Sequence, residues 1–141
     1  MQPSVWKAQS LFPDNDAKET LHRLARIIYA ESGASSLRSV EALASMTMNL
    51  CATTGRPLPE IIFDKSIFES LYENSARHQD LFANKECPGF QMCMRVAKRA
   101  AAGALPDAAS GATRFHSADN MPRWAVSEGY IAEIDGLFFY K

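Results

Sequence analysis

Leu24-Ala25-Arg26-Ile27-Ile28-Tyr29-Ala30-Glu31-Ser32-Gly33 is the stretch on which the fold turns. With Leu21 before it, the apolar residues Leu24, Ala25 and Ile28 complete the spacing i, i+3, i+4, i+7, one face of a helix. Gly33 suits a left-handed cap just past the last turn, so the helix is predicted to end near Ser32. Upstream, Asp14, Asn15 and Asp16 all qualify as caps, and Asp16 with Glu19 has capping-box spacing, which starts the helix near Asp16. An acidic residue, Glu31, therefore stands in the last turn, directly behind the apolar run Ile27-Ile28-Tyr29-Ala30.

Downstream, a second helix starts around Ser36 or Ser39, with Val40, Leu43, Ala44, Thr47, Leu50 and Cys51 as its buried stripe; Gly55 and Pro57 stop it. Short helical pieces are predicted at 66–74 and 76–84, a chain break at Pro88-Gly89, and a further helix from Phe90 to Ala102. Pro106 to Met121 is rich in Gly, Ser, Ala, Asp and Asn and is expected to be largely loop, of the long kind that often serves function. Asp135-Gly136, set between the apolar runs of Tyr130–Ile134 and Leu137–Tyr140, is a hairpin signal. The expected architecture is mainly α (α+β): one compact helical domain over 16–141 with a small C-terminal β-hairpin, preceded by an arm, 1–15, that contains two prolines.

Composition narrows the function classes. The chain has 141 residues, 47% hydrophobic and 22% charged, which suits a single globular domain able to bury its own core. A formal net charge of -1 and the lack of any run of like charges speak against a nucleic-acid binder. The start, Met1-Gln2-Pro3-Ser4-Val5-Trp6-Lys7, lacks the apolar core of a signal peptide, and no segment has the length of a transmembrane helix. Synthesis in the cytoplasm is the expectation, with any role outside requiring a separate exit. Cys51, Cys87 and Cys93 are an odd count without C-x-x-C spacing and read as thiols rather than a disulfide framework. His22, His78 and His116 are far apart, so neither a metal centre nor a cofactor is expected.

Two segments carry chemistry. Glu31 sits at the carbonyl end of its helix in apolar surroundings; both disfavour a carboxylate, and a carboxylic acid that stays protonated near neutral pH can donate to a glycosidic oxygen. The same spacing also describes an ordinary exposed glutamate. The second segment is Gly111-Ala112-Thr113-Arg114-Phe115-His116 followed by Pro122-Arg123-Trp124-Ala125, where Phe115, His116 and Trp124 offer faces on which sugar rings pack. A loop pinned by buried aromatics fits that pattern equally.

Taken in order, these blocks resemble the bacterial cell-wall hydrolase family typified by the spore cortex-lytic enzymes. Ala30-Glu31-Ser32-Gly33 with the following helix that contains Asn49 is similar to the family's A-E-x-x-G block and the helix after it. Phe90 to Asp107 is similar to its second block. Gly111–His116, Pro122-Arg123-Trp124 and Ile134–Tyr140 are similar to its G-A-T-x-F/Y-H, P-x-W and I-G-x-H-x-F-Y ending. The likeness runs from Leu21 to Tyr140. It implies a lysozyme-like domain that degrades peptidoglycan glycan strands as a lytic transglycosylase or muramidase-type enzyme, with Glu31 as the single catalytic acid and base. Phe68, Glu69, Thr113, Phe115, His116, Trp124 and Tyr140 are the implied cleft residues.

The chain departs from the pattern at several points. Ala34 and Ser35 stand where a second glutamate is frequent, Asn49 is followed by Leu50 instead of arginine, Ile67-Phe68-Glu69 keeps only the aromatic of a Q-F-S element, and Asp135-Gly136-Leu137 lacks the histidine. A catalytically degenerate wall- or partner-binding domain on the same fold is therefore the alternative. An amidase acting on the stem peptide ranks last, for want of a ligand cluster. A wall enzyme would reach its substrate through a phage-type pore, a secretion system or lysis, or as a mature domain whose targeting segment has been removed.

Overall fold

The computed structural model describes residues 14–126 and 129–141. The expected N-terminal arm lies almost wholly outside them; its last two residues, Asp14 and Asn15, belong to the first helix.

Helix α1 (Asp14–Ser32) is the centre of the molecule. Leu24, Ala25, Ile27, Ile28, Ala30 and Glu31 are all buried, an arc wider than the one stripe expected of a surface helix. The width follows from its neighbours, since helices α2 and α4 and two 3-10 turns all pack on it. Gly33, at φ 66°, closes the helix by donating its N–H to the Tyr29 carbonyl at 2.8 Å. Ala34 follows in the same left-handed region, at φ 52°.

Helix α2 (Leu37–Thr54) is capped as the sequence suggests: Ser36 Oγ accepts from the Ser39 amide at 3.1 Å, and Gly55 ends it at φ 72°. One further turn of helix, α3 (Leu58–Ile61), starts behind Pro57. The pieces expected at 66–74 and 76–84 are shorter and tighter, 3-10 turns at Glu69–Leu71 and His78–Phe82. Helix α4 (Pro88–Ala101) corrects the expected break: Pro88 opens the helix, because its missing N–H falls where no intrahelical bond is needed. Gly89 is required by packing. A Cβ there would lie 3.0 Å from Ala34 Cβ and 3.2 Å from the Tyr29 ring, so its absence lets α4 approach the end of α1.

The expected hairpin is present but forms only part of a sheet. Strands β2 (Tyr130–Ile134) and β3 (Leu137–Tyr140) are joined by Asp135 and Gly136 at φ 51° and 82°, the two positive values of a type I′ turn. The segment 106–121, expected as loop, contributes β1 (Arg114–Ser117), which pairs antiparallel with the free edge of β3 in the order β1-β3-β2. Phe115 lies opposite Phe139 and His116 opposite Phe138. Phe115, Ile134, Leu137 and Phe139 turn into the core, where Phe115 meets Phe68 at 6.2 Å. About 52% of residues are helical, a mainly α chain with a small antiparallel sheet. Among the described residues, no helix is long and apolar enough to cross a membrane.

The rest of that loop is pinned to α2. Asp107 accepts from the amides of Ala109 and Gly111 at 2.8 and 2.7 Å; Asn49 Nδ2 reaches the Ala112 carbonyl at 3.1 Å, and the Ala108 amide donates to Ser45 Oγ at 2.9 Å. These bonds hand the chain to β1 in a fixed direction. All three cysteines are free thiols, with Cys51 and Cys93 buried.

Candidate functional site

Glu31 is 2% exposed, and it is the one Asp, Glu, Lys or Arg among the described residues that is buried. Its Oε2 accepts a hydrogen bond from the Ser70 amide at 2.7 Å. That amide belongs to the 3-10 turn Glu69–Leu71, and the turn is itself braced: His78 Nδ1 lies 2.8 Å from the Ser70 carbonyl oxygen. A carbonyl oxygen only accepts, so Nδ1 carries the hydrogen. The result is one line of bonds, from His78 through the Ser70 peptide to the Glu31 carboxyl.

Burial pushes the Glu31 carboxyl above its ordinary value of 4.5, against the Ser70 bond and the Arg77 charge, which favour the ionised form; neighbouring Glu69 adds to the upward displacement. The cause is thus mainly desolvation, one of the two causes that the sequence suggests. Arg77 Nη1 covers the Glu31 carbonyl at 3.1 Å and so offsets the negative end of α1.

Glu31 opens onto a cleft of about 290 Å³, also lined by Lys65, Ser66, Ile67, Glu69, Tyr72, Phe115, His116, Ser117, Asn120, Pro122 and Trp124. One wall is the 3-10 turn region and the other is β1 with the segment after it. Of the residues singled out in the sequence, Glu31, Glu69, Phe115, His116 and Trp124 meet here. Glu69 is held in place, accepting from Ser75 Oγ at 2.8 Å and from Asn120 Nδ2 at 3.4 Å across the cleft.

His116 is buried in an aromatic stack. Phe138 lies parallel to it at 5.2 Å, and Tyr140 and Trp124 flank it at 5.3 and 5.8 Å. Its Nδ1 faces the Ser117 carbonyl at 2.8 Å and so donates, which leaves Nε2 to accept from Tyr140 Oη at 2.8 Å. Both ring nitrogens are committed, so His116 is not placed to act as a base. The Arg114 guanidinium lies 4.7 Å from the Trp124 ring centre on the same wall. Ser117 Oγ is buried and has no hydrogen-bond partner among the described residues.

Three of the sequence candidates do not line the cleft. Phe68, 1% exposed, is core beneath Phe115; Tyr140, 4% exposed, stands behind His116 and fixes it; Thr113 precedes β1 and bonds through its amide to the Tyr140 carbonyl at 2.9 Å. Sequence reasoning missed Ser70, Arg77 and His78, and with them Tyr72, Ser117 and Asn120. Ser70 acts on Glu31 through its backbone, which no side-chain pattern can advertise. Among the described residues no group of three or more His, Cys, Asp or Glu is placed to hold a metal ion.

Comparison with protein-family models, with curated proteins and with solved structures returned no match to the chain.

Proposed function

We propose that the chain is a peptidoglycan-degrading enzyme on a lysozyme-like helical domain, cleaving the glycan strand with Glu31 as its single general acid and base. The observation that carries this reading is the Glu31 carboxyl: buried, raised above its ordinary value, and open to a cleft lined by aromatic and amide side chains. A carboxyl in that state can act as a proton donor at neutral pH. The resemblance of the sequence blocks supplies the substrate class.

In the proposed reaction, Oε2 stays bonded to the Ser70 amide, so the acid proton belongs to Oε1. That proton passes to the bridging oxygen between N-acetylmuramic acid and N-acetylglucosamine as the bond from the muramic C1 breaks. The carboxylate left behind then takes the proton of the muramic 6-hydroxyl while that oxygen closes on C1, giving a 1,6-anhydro end. This route asks for no carboxylate nucleophile, unlike the usual two-carboxylate glycosidases. Trp124 and Tyr72 would pack on sugar rings, and Asn120 would bond their hydroxyls.

The second reading, a wall- or partner-binding domain that has lost catalysis, is favoured by one feature: the cleft histidine has no nitrogen left for chemistry. Mass spectrometry of the soluble products from purified sacculi separates the two. The wild-type chain is expected to release muropeptides with anhydro ends, and folded Glu31→Gln to release none. Reducing ends would change the enzyme to a hydrolase. No products from the wild-type chain, or equal products from both proteins, would overturn the assignment to Glu31.

A further inference from the structure

Away from the Glu31 cleft, a larger groove of about 640 Å³ runs along the N-terminal half of α1, lined among others by Lys18, Glu19, His22, Arg23, Arg26 and Lys85. Lys18, His22 and Arg26 recur at i, i+4 and i+8, a single stripe about 12 Å long at ~1.5 Å per residue. Lys85 faces the stripe from the segment before α4. Four permanent cations thus meet one carboxylate, Glu19, in a chain whose net charge is -1.

Among the described residues, the ion pairs elsewhere are Arg56 with Glu60 and Asp64, Arg77 with Asp119, and Arg99 with Glu41; none involves a groove cation. Arg23 is fixed without a carboxylate. Its Nε donates to the Ile62 carbonyl at 3.1 Å, and its guanidinium lies 3.9 Å from the centre of the Phe63 ring, which is itself 62% exposed. This holds the fork in a set orientation with its terminal nitrogens left over. The crowding is also felt by His22: burial first, then the charges of Arg26 and Lys85, hold its imidazole below the ordinary 6.5. Like charges gathered without partners among the described residues oppose folding, so their collection calls for an anion.

We propose that this groove is a binding site for a phosphate-bearing ligand, held by Arg23, Arg26, Lys18 and Lys85. A phosphate monoester carries more charge than a carboxylate and three terminal oxygens, a phosphodiester one charge and two such oxygens on a tetrahedral centre; either can engage two of these cations at once, and the guanidinium fork matches the geometry. The length of the stripe suits phosphates repeated along a chain. The site is independent of the chemistry assigned to Glu31.

The test is calorimetric titration at low salt with inorganic phosphate, with a glycerol-phosphate oligomer, and with polyglutamate of matched charge. Proton NMR of the His22 ring, identified by its loss in His22→Gln, reports where binding occurs. Both phosphate probes should bind, shift the His22 signal and raise its pKa, and polyglutamate should bind at least ~10-fold more weakly than the oligomer. An oligomer that binds ~10-fold or more tighter than free phosphate identifies a chain-like source, and equal affinity a single phosphate group. The double variant Arg26→Gln/Lys85→Gln should lose about tenfold or more in phosphate affinity. Its thermal midpoint without ligand should stay level or rise, because repulsion has been removed. Glu31→Gln should bind as the wild type does, whatever becomes of its activity on sacculi. A silent His22, equal binding of polyglutamate, or a double variant that binds like the wild type would each overturn the proposal.

Discussion

Replacing Glu31 by glutamine should make the protein more stable at neutral pH while removing its acid. The two side chains have nearly the same shape, and the glutamine oxygen can keep the 2.7 Å bond from the Ser70 amide. What changes is charge. Burial displaces the folded-state pKa upward from 4.5, and each unit of such a displacement is worth about 1.4 kcal/mol between the two protonation states. A raised folded-state value means that the native protein binds the extra proton, so stability falls as pH rises from 4.5 through the displaced value. As pH rises through that window the wild-type chain takes on the penalty of a buried carboxylate and Glu31→Gln does not. A gain of about 0.5–2 kcal/mol is expected at pH 7.5, the usual scale for relieving a functional strain. Urea unfolding of both proteins at pH 7.5 and pH 4 measures it, and the gap should shrink at pH 4, where Glu31 is mostly neutral in both states. A variant less stable than wild type at pH 7.5, or a gap that ignores pH, would refute the burial argument.

His78→Leu removes the donor behind the Ser70 carbonyl; it should cost about 0.5–1.5 kcal/mol in urea unfolding and slow product release from sacculi. His78→Asn, whose amide nitrogen can stand in for Nδ1, should restore much of both. Gly89→Ala gains helix propensity but presses a methyl against Ala34 Cβ, so a net loss of about 1 kcal/mol is expected by thermal unfolding. In an Ala34→Gly background, which also relieves the positive φ at 34, most of that loss should vanish. A thiol reagent at pH 8 should modify Cys87 far faster than the other two cysteines. Its thiol is held low by the Phe90 amide and by Tyr29, whereas burial pushes Cys51 and Cys93 up to about 12. Equal rates for all three would contradict this.

Local signals in the chain were legible where one residue's backbone preference decides the outcome. Ser36 and Gly55 bracket α2, Gly33 ends α1, and Asp135-Gly136 turns the hairpin, because capping bonds and positive φ are satisfied within a few residues. Pro88-Gly89 shows the limit of such reading. The same dipeptide signals a break or a first helical turn, and only the contact of Gly89 with Ala34 and Tyr29 explains why glycine stands there. β1 was hidden for a related reason. Arg114–Ser117 pairs with a strand twenty or more residues away, and a composition of Gly, Ser and Asn on its flanks reads as loop until that edge is present.

Within the candidate site, the sequence by itself offered Glu31 and the aromatics Phe115, His116 and Trp124 as residue types at spacings that an exposed glutamate and a pinned loop fit as well, and the resemblance of the blocks singled Glu31 out. Spacing is a property of the chain. Only the tertiary structure decided that Glu31 is buried, that Glu69 shares its cleft, that Phe68 and Tyr140 stand behind the wall, and that the Ser70 amide, braced by His78, holds the carboxyl. Desolvation depends on every element packed around a group, and a backbone donor is common to every residue but proline. Neither can therefore be read from a string of side chains, although both govern the protonation of Glu31.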